Sequence, residues 1–80
     1  MTKTEARRKI KEVMSATFSL DADSIDENTT QKNTKKWSSL NHLRLVTNLE
    51  KELGLKFAMK EIEQLTSYNS IEEMVLSKMQ

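Results

Sequence analysis

The sequence predicts an all-α protein, a small irregular four-helix bundle built from three longer helices and one short one. Two compositional facts and one pattern lead there. The 80 residues include no proline and a single glycine, so almost nothing along the chain interrupts a helix. Apolar residues recur at spacings of three and four, and residues that cap helices stand where those periodic stretches begin and end. Eighty residues suffice for one domain with a thin core, with no second domain and no deep enzyme cleft.

Thr2 and Glu5 stand at capping-box spacing, and Ala6, Ile10, Val13, Met14 and Phe18 behind them mark one face of a first helix over about Lys3 to Phe18. Arg7, Arg8, Lys11 and Glu12 form its solvated side. From Ser19 to Trp37 the composition turns polar, which predicts a long loop. Connections beyond about 12–15 residues are uncommon in compact domains unless they serve a function or hold a short helical turn. Leu20, Ile25 and Trp37 are expected to pin this one onto the bundle.

A second helix is expected from Ser38 or Ser39 to Leu53, with Leu40, Leu43, Val46, Leu49 and Leu53 as its apolar stripe. Gly54 suits the left-handed position just past its end, and Leu55 supplies the apolar contact that accompanies such an ending. Leu55, Phe57 and Met59 alternate along a short extended link to a brief third helix over about Lys60 to Leu65, which Tyr68 covers. Ser70 and Glu73 read as a second capping box, ahead of Ile71, Met74, Val75 and Met79 on a fourth helix. Met14, Met59, Met74 and Met79 read as adaptable core filling.

Composition narrows the function classes. With 36% hydrophobic and 31% charged residues the chain is too apolar for a disordered tail and too interrupted by charge to span a membrane. The absence of cysteine excludes disulfides and thiolate metal sites, and His42 alone cannot build a metal cluster. Met1 to Ile10 carries Arg7, Arg8 and Lys9 with no apolar run behind them, which is not a secretory signal, so a cytoplasmic location is expected. The net charge of +1 points to neither nucleic acid nor a membrane surface as partner. The Arg7, Arg8, Lys9 cluster and the Lys35, Lys36 pair are short and far apart in sequence, so solvated faces are the better reading.

From Trp37 to Gly54 the chain reads W-S-S-L-N-H-L-R-L-V-T-N-L-E-K-E-L-G. This stretch closely resembles the acyl and peptidyl carrier protein family, whose signature is D-S-L at the start of the second helix. It resembles most a subgroup of stand-alone carriers with W-D-S-L-x-H-L, matched here at Trp37, Ser39, Leu40, His42, Leu43, Leu49 and Gly54. The likeness continues through Ser24 to Thr30, similar to the acidic loop before the signature, and through Ile62, Leu65 and Ile71 in the last two helices. It covers nearly the whole chain.

The resemblance implies a monomeric carrier with no catalytic activity of its own. Ser39 would receive 4′-phosphopantetheine from coenzyme A through a magnesium-dependent phosphopantetheinyl transferase. The arm's thiol would then hold an acyl, aminoacyl or polyketide group as a thioester, given by a loading enzyme and taken by a downstream synthase or transferase, as in fatty acid or polyketide biosynthesis. A phosphodiester at a helix N-terminus would face free backbone N–H groups and the favourable end of the helix dipole. Leu40, His42, Leu43 and Arg44 would form the surface that partners dock on, Leu40 as an exposed apolar contact beside the arm.

The chain departs from the family at two places. Ser38 stands where the family has aspartate; it can cap the helix by accepting from a backbone N–H, but supplies no charge to help a transferase and its metal engage the serine. The second helix, acidic in many carriers, here holds Asn41, Arg44, Asn48 and Lys51, leaving only Glu50 and Glu52. Partners that recognise an acidic carrier should recognise this one poorly. Ser38 also keeps open an alternative, an unmodified carrier-like helical interaction module. Read without the family, Ser39 is an ordinary first-turn serine, Trp37 a wedge closing a loop, His42 a surface or packing residue, and Leu40 and Leu43 core.

Overall fold

Thr2 caps the first helix, α1 (Lys3–Phe18), in the computed structural model, which describes residues 2–79 and so leaves Met1 and Gln80 outside the described residues. The Thr2 hydroxyl accepts from the Glu5 N–H at 3.1 Å while the Glu5 carboxylate accepts from the Thr2 N–H at 3.4 Å, the reciprocal box that the spacing predicts. Ala6, Ile10, Val13, Met14 and Phe18 are all buried, so the predicted face is the core face. The helix ends at Ser19, held left-handed at φ 55°, and the Leu20 N–H reaches back to the Ser15 carbonyl at 3.1 Å.

The second helix, α2 (Ser39–Leu53), stops at Gly54, whose φ of 66° is the left-handed conformation that glycine adopts without strain. Both Gly54 and Leu55 donate to the Glu50 carbonyl, at 2.9 and 3.3 Å, closing the last turn. The Glu50 carboxylate then turns outward from its own helix and accepts from the Phe57 N–H at 2.9 Å, fixing the short link. The third and fourth helices, α3 (Met59–Gln64) and α4 (Tyr68–Lys78), complete the bundle. α1 packs along both α2 and α4, and the core runs between them through Phe18, Leu45, Leu49, Leu65, Ile71 and Val75.

Four sequence expectations shift. The core face of α2 carries Leu45, Val46 and Leu49, whereas Leu40 and Leu43 are 60% and 58% exposed. Steps of three residues rotate by about 300° on a helix of 3.6 residues per turn, so a stripe built on them slips by about 60° each time. From Leu49 back to Leu40 that slip carries the stripe off the core face, and Leu45 takes the vacated place.

The fourth helix starts three residues earlier than Ser70 and Glu73 suggest, because Ser67 is the cap and Ser70 its reciprocal partner. The Ser67 hydroxyl accepts from Ser70 N–H at 3.1 Å and the Ser70 hydroxyl from Ser67 N–H at 3.2 Å. Met59 opens α3 at 74% exposure instead of filling the core, while Met14 is fully buried and Met74 and Met79 pack partly against it. The third helix itself lies one residue earlier than expected.

The long connection is ordered by its own side chains. A 3-10 turn at Ala22–Ser24 shortens it, and Asn33 clasps the rest, bonding to Thr30 and, through its amide N–H, to the Asn28 carbonyl at 2.8 Å. Two backbone bonds tie it to the α3–α4 turn: Gln31 N–H to Thr66 carbonyl at 2.8 Å and Tyr68 N–H to Thr29 carbonyl at 2.9 Å. Ile25 and Trp37 are buried and Leu20 half-buried, the three pins expected.

Side-chain ties close the other end. Arg7 on α1 pairs with Glu72 on α4, which raises the Arg7 pKa, and burial followed by the nearby Glu72 charge raises that of the Tyr68 phenol. Ala58 precedes α3 and has no oxygen to cap it, so Glu61 supplies half a box, accepting from the Ala58 N–H at 2.7 Å and pairing with Lys78 on α4 at 2.9 Å. The backbone bond first, and Lys78 second, lower the Glu61 pKa below its ordinary 4.5. A lowered native pKa stabilises the fold above the ordinary carboxylate range and is lost as pH falls through 4.5 toward the native value. The melting temperature should therefore fall with acidification across that window, and Glu61→Gln should make the fall shallower; equal slopes in thermal melts of the two proteins would refute the contribution.

Candidate functional site

Trp37 ends the long connection and fixes where α2 begins. Its ring is buried, stacked on Phe18 at a centroid distance of 4.9 Å, and its indole N–H donates to His42 Nδ1 at 3.0 Å. With the chain held there, Ser38 takes extended backbone at φ −80°, ψ 173°, and its hydroxyl accepts from the Asn41 N–H at 3.2 Å as the N-cap of α2. The Asn41 amide in turn donates to the Lys36 carbonyl at 2.7 Å, bracing the entry from the other side.

Ser39 is therefore the first residue of α2, exposed, with Leu40 exposed beside it. The first turn of α2 holds no acidic residue, and Lys35 and Lys36 stand exposed on the approach. An anion on the Ser39 oxygen would meet the positive end of the helix dipole and no neighbouring carboxylate in that turn. The residues present thus fit a phosphate-borne group attached at Ser39, and Ser38 keeps the cap without adding charge.

The other candidate residues separate into two sets. Leu40, Leu43 and Arg44 point outward and are exposed. His42 is half-buried, and both ring nitrogens are engaged within the protein: Nδ1 accepts from Trp37, which leaves the proton on Nε2, and Nε2 meets the Ile62 carbonyl of α3 at 2.8 Å. It is a clamp between the start of α2 and α3, not a free group beside Ser39. Sequence reasoning misses this role because Ile62 lies 20 residues away, and it misses Glu50, whose carboxylate is spent on the Phe57 N–H.

Open grooves of about 450 Å³ and 440 Å³ lie along the connection that includes Lys35 and Lys36, and between Ala16 and Thr17 of α1 and Leu43 to Asn48 of α2. Among the described residues no group of three or more His, Cys, Asp and Glu side chains could hold a metal ion. Among them, too, no helix is long and apolar enough to cross a membrane.

No protein-family model and no curated protein sequence matches this chain. A solved structure of the acyl carrier protein from Enterococcus faecalis does match, with a TM-score of 0.78 over 96% of this chain and 98% of that one, at 22% sequence identity. The chain has the fold of an acyl carrier protein.

Proposed function

We propose that this protein is a carrier whose Ser39 hydroxyl bears a 4′-phosphopantetheine arm. The supporting observation is the exposed Ser39 at the capped start of α2, on a fold shared along 96% of the chain with an acyl carrier protein. Transfer from coenzyme A breaks the pyrophosphate linkage and forms a phosphodiester to Ser39 Oγ, the hydroxyl proton passing to the transferase and adenosine 3′,5′-bisphosphate departing as the leaving group. The arm's thiol then carries acyl, aminoacyl or polyketide cargo as a thioester between a loading enzyme and a synthase or transferase. The protein itself positions the attachment oxygen and supplies the docking face; the bond-making chemistry belongs to its partners.

Intact-mass spectrometry after incubation with coenzyme A, magnesium and a broad-specificity phosphopantetheinyl transferase tests this. Wild type should gain the mass of one arm, Ser38→Ala should gain it as well, and Ser39→Ala should gain nothing. Ser38→Asp, which restores a charge at the helix cap, should load faster than wild type. Absence of any mass gain in wild type and in Ser38→Asp would favour the second reading, an unmodified interaction module, to which the uncharged Ser38 already lends support. A gain that survives Ser39→Ala but not Ser38→Ala would move the attachment by one residue.

A further inference from the structure

Helical geometry sorts the charges of α2 onto different sides of the helix. Leu40, Arg44, Thr47 and Lys51 follow one another at spacings of four, three and four, a straight stripe opposite the core residues Leu45, Val46 and Leu49, with Leu43 beside it. All five are exposed. The two acids of the helix are placed elsewhere. Glu50 is turned to the α2–α3 link and bonded to the Phe57 N–H at 2.9 Å. Glu52 lies in the cleft toward α1, among Lys9, Glu12 and Asn48. The outward stripe is thus apolar and cationic, and among the described residues it bears no carboxylate.

We infer that this stripe is a docking face for a partner enzyme whose own surface is acidic around an apolar socket, with Leu40 and Leu43 entering the socket and Arg44 and Lys51 facing its carboxylates. The assignment extends the carrier reading above and rests on it for the kind of partner. Two leucines, 60% and 58% exposed and one turn apart, have no intramolecular reason to stand in water, whereas apolar anchors ringed by charge are what a transient protein interface uses. Charge complementarity fixes the partner's sign: a basic face would meet Arg44 and Lys51 with like charge and be repelled. Lys35 and Lys36, exposed on the approach to Ser39, extend the same positive field.

The test measures binding and leaves loading out, using Ser39→Ala throughout so that attachment chemistry cannot enter. The probes are a phosphopantetheinyl transferase chosen for a basic carrier-docking face and the same enzyme with the lysines and arginines of that face replaced by glutamate. The chain should bind the acidic-faced form at least about tenfold more tightly at low salt, with the preference shrinking as salt is raised. Arg44→Glu/Lys51→Glu should reverse the preference, and Leu40→Ser/Leu43→Ser should weaken binding to the acidic form by about tenfold or more. All four positions are exposed, so circular dichroism should show unchanged helix content in both double variants. Equal binding to the two forms, tighter binding to the basic one, or a preference that survives Arg44→Glu/Lys51→Glu would overturn the inference. If Ser39→Ala shows the preference while wild type gains no mass in the loading experiment above, the docking face stands and the carrier reading falls; if wild type loads while Ser39→Ala shows no preference, the opposite holds.

Discussion

Trp37→Ala is expected to lower the stability of the protein by about 3–5 kcal/mol, the cost of truncating a large buried aromatic. An 80-residue domain has roughly 4–12 kcal/mol in total, so the variant should be marginally folded or unfolded at physiological temperature. Three losses combine. The indole is 3% exposed and its removal leaves a cavity that Phe18, stacked at 4.9 Å, cannot fill without leaving α1. The bond to His42 Nδ1 is lost, which strips the histidine of the contact that sets its tautomer. The long connection also loses the anchor nearest α2, so the backbone that places Ser38 as the cap is released. Trp37→Phe separates these effects: it keeps an apolar ring against Phe18 but gives up the N–H donor, and should fall between wild type and alanine. Denaturant unfolding followed by circular dichroism reads all three proteins. A loss below about 1 kcal/mol for Trp37→Ala would mean that the connection is held by its backbone bonds to the α3–α4 turn and that the tryptophan is dispensable.

What could be read from the sequence is whatever the chain decides locally. The box at Thr2 and Glu5, the stop at Gly54 and the cap at Ser38 each depend on residues within four positions of one another, and the structure keeps all three. The start of α2 at Ser39 belongs to this class, so the candidate attachment residue is placed by local rules alone. The same logic misplaces the cap of α4, since Ser67 and Ser70 form an equally local pair and Tyr68 N–H is drawn to the Thr29 carbonyl far back in the chain. Helix phase is less legible than helix existence. Leu40 and Leu43 fit an apolar stripe on paper, but the partners that choose the buried side, α1 above all, admit Leu45 and exclude both. The docking face emerges only when that phase is known. The structural uses of His42 and Glu50 depend on Trp37, Ile62 and Phe57 arriving at one place in three dimensions, and no spacing in the sequence encodes it.

His42→Ala is expected to be the most damaging change on α2 outside its core residues, at about 2 kcal/mol, and to act chiefly on α3. The imidazole is the middle of a relay in which Trp37 donates to Nδ1 at 3.0 Å and Nε2 donates to the Ile62 carbonyl at 2.8 Å. Its ring also stacks on the indole at 6.2 Å with an interplanar angle of 23°. Alanine leaves the buried indole N–H without its partner and the Ile62 carbonyl with only the Leu65 N–H at 3.2 Å, and an orphaned buried donor costs about 1–3 kcal/mol unless water enters to replace the lost acceptor. α3 has only six residues and no capping oxygen at Ala58, so few bonds remain to hold it once the clamp is gone. Amide hydrogen exchange should therefore accelerate across α3 well before it does in α1, which keeps its own capping box and the Arg7–Glu72 tie. His42→Gln retains an acceptor and a donor on one short side chain and should recover part of the protection, whereas His42→Phe, apolar and of similar bulk, should recover packing without it. Uniform acceleration over all four helices would show His42 to be an ordinary core residue. Acceleration confined to α3 would establish that the helix carrying Ser39 and the short helix beside it are coupled through a single imidazole, so that whatever binds near Ser39 and disturbs Trp37 also loosens α3.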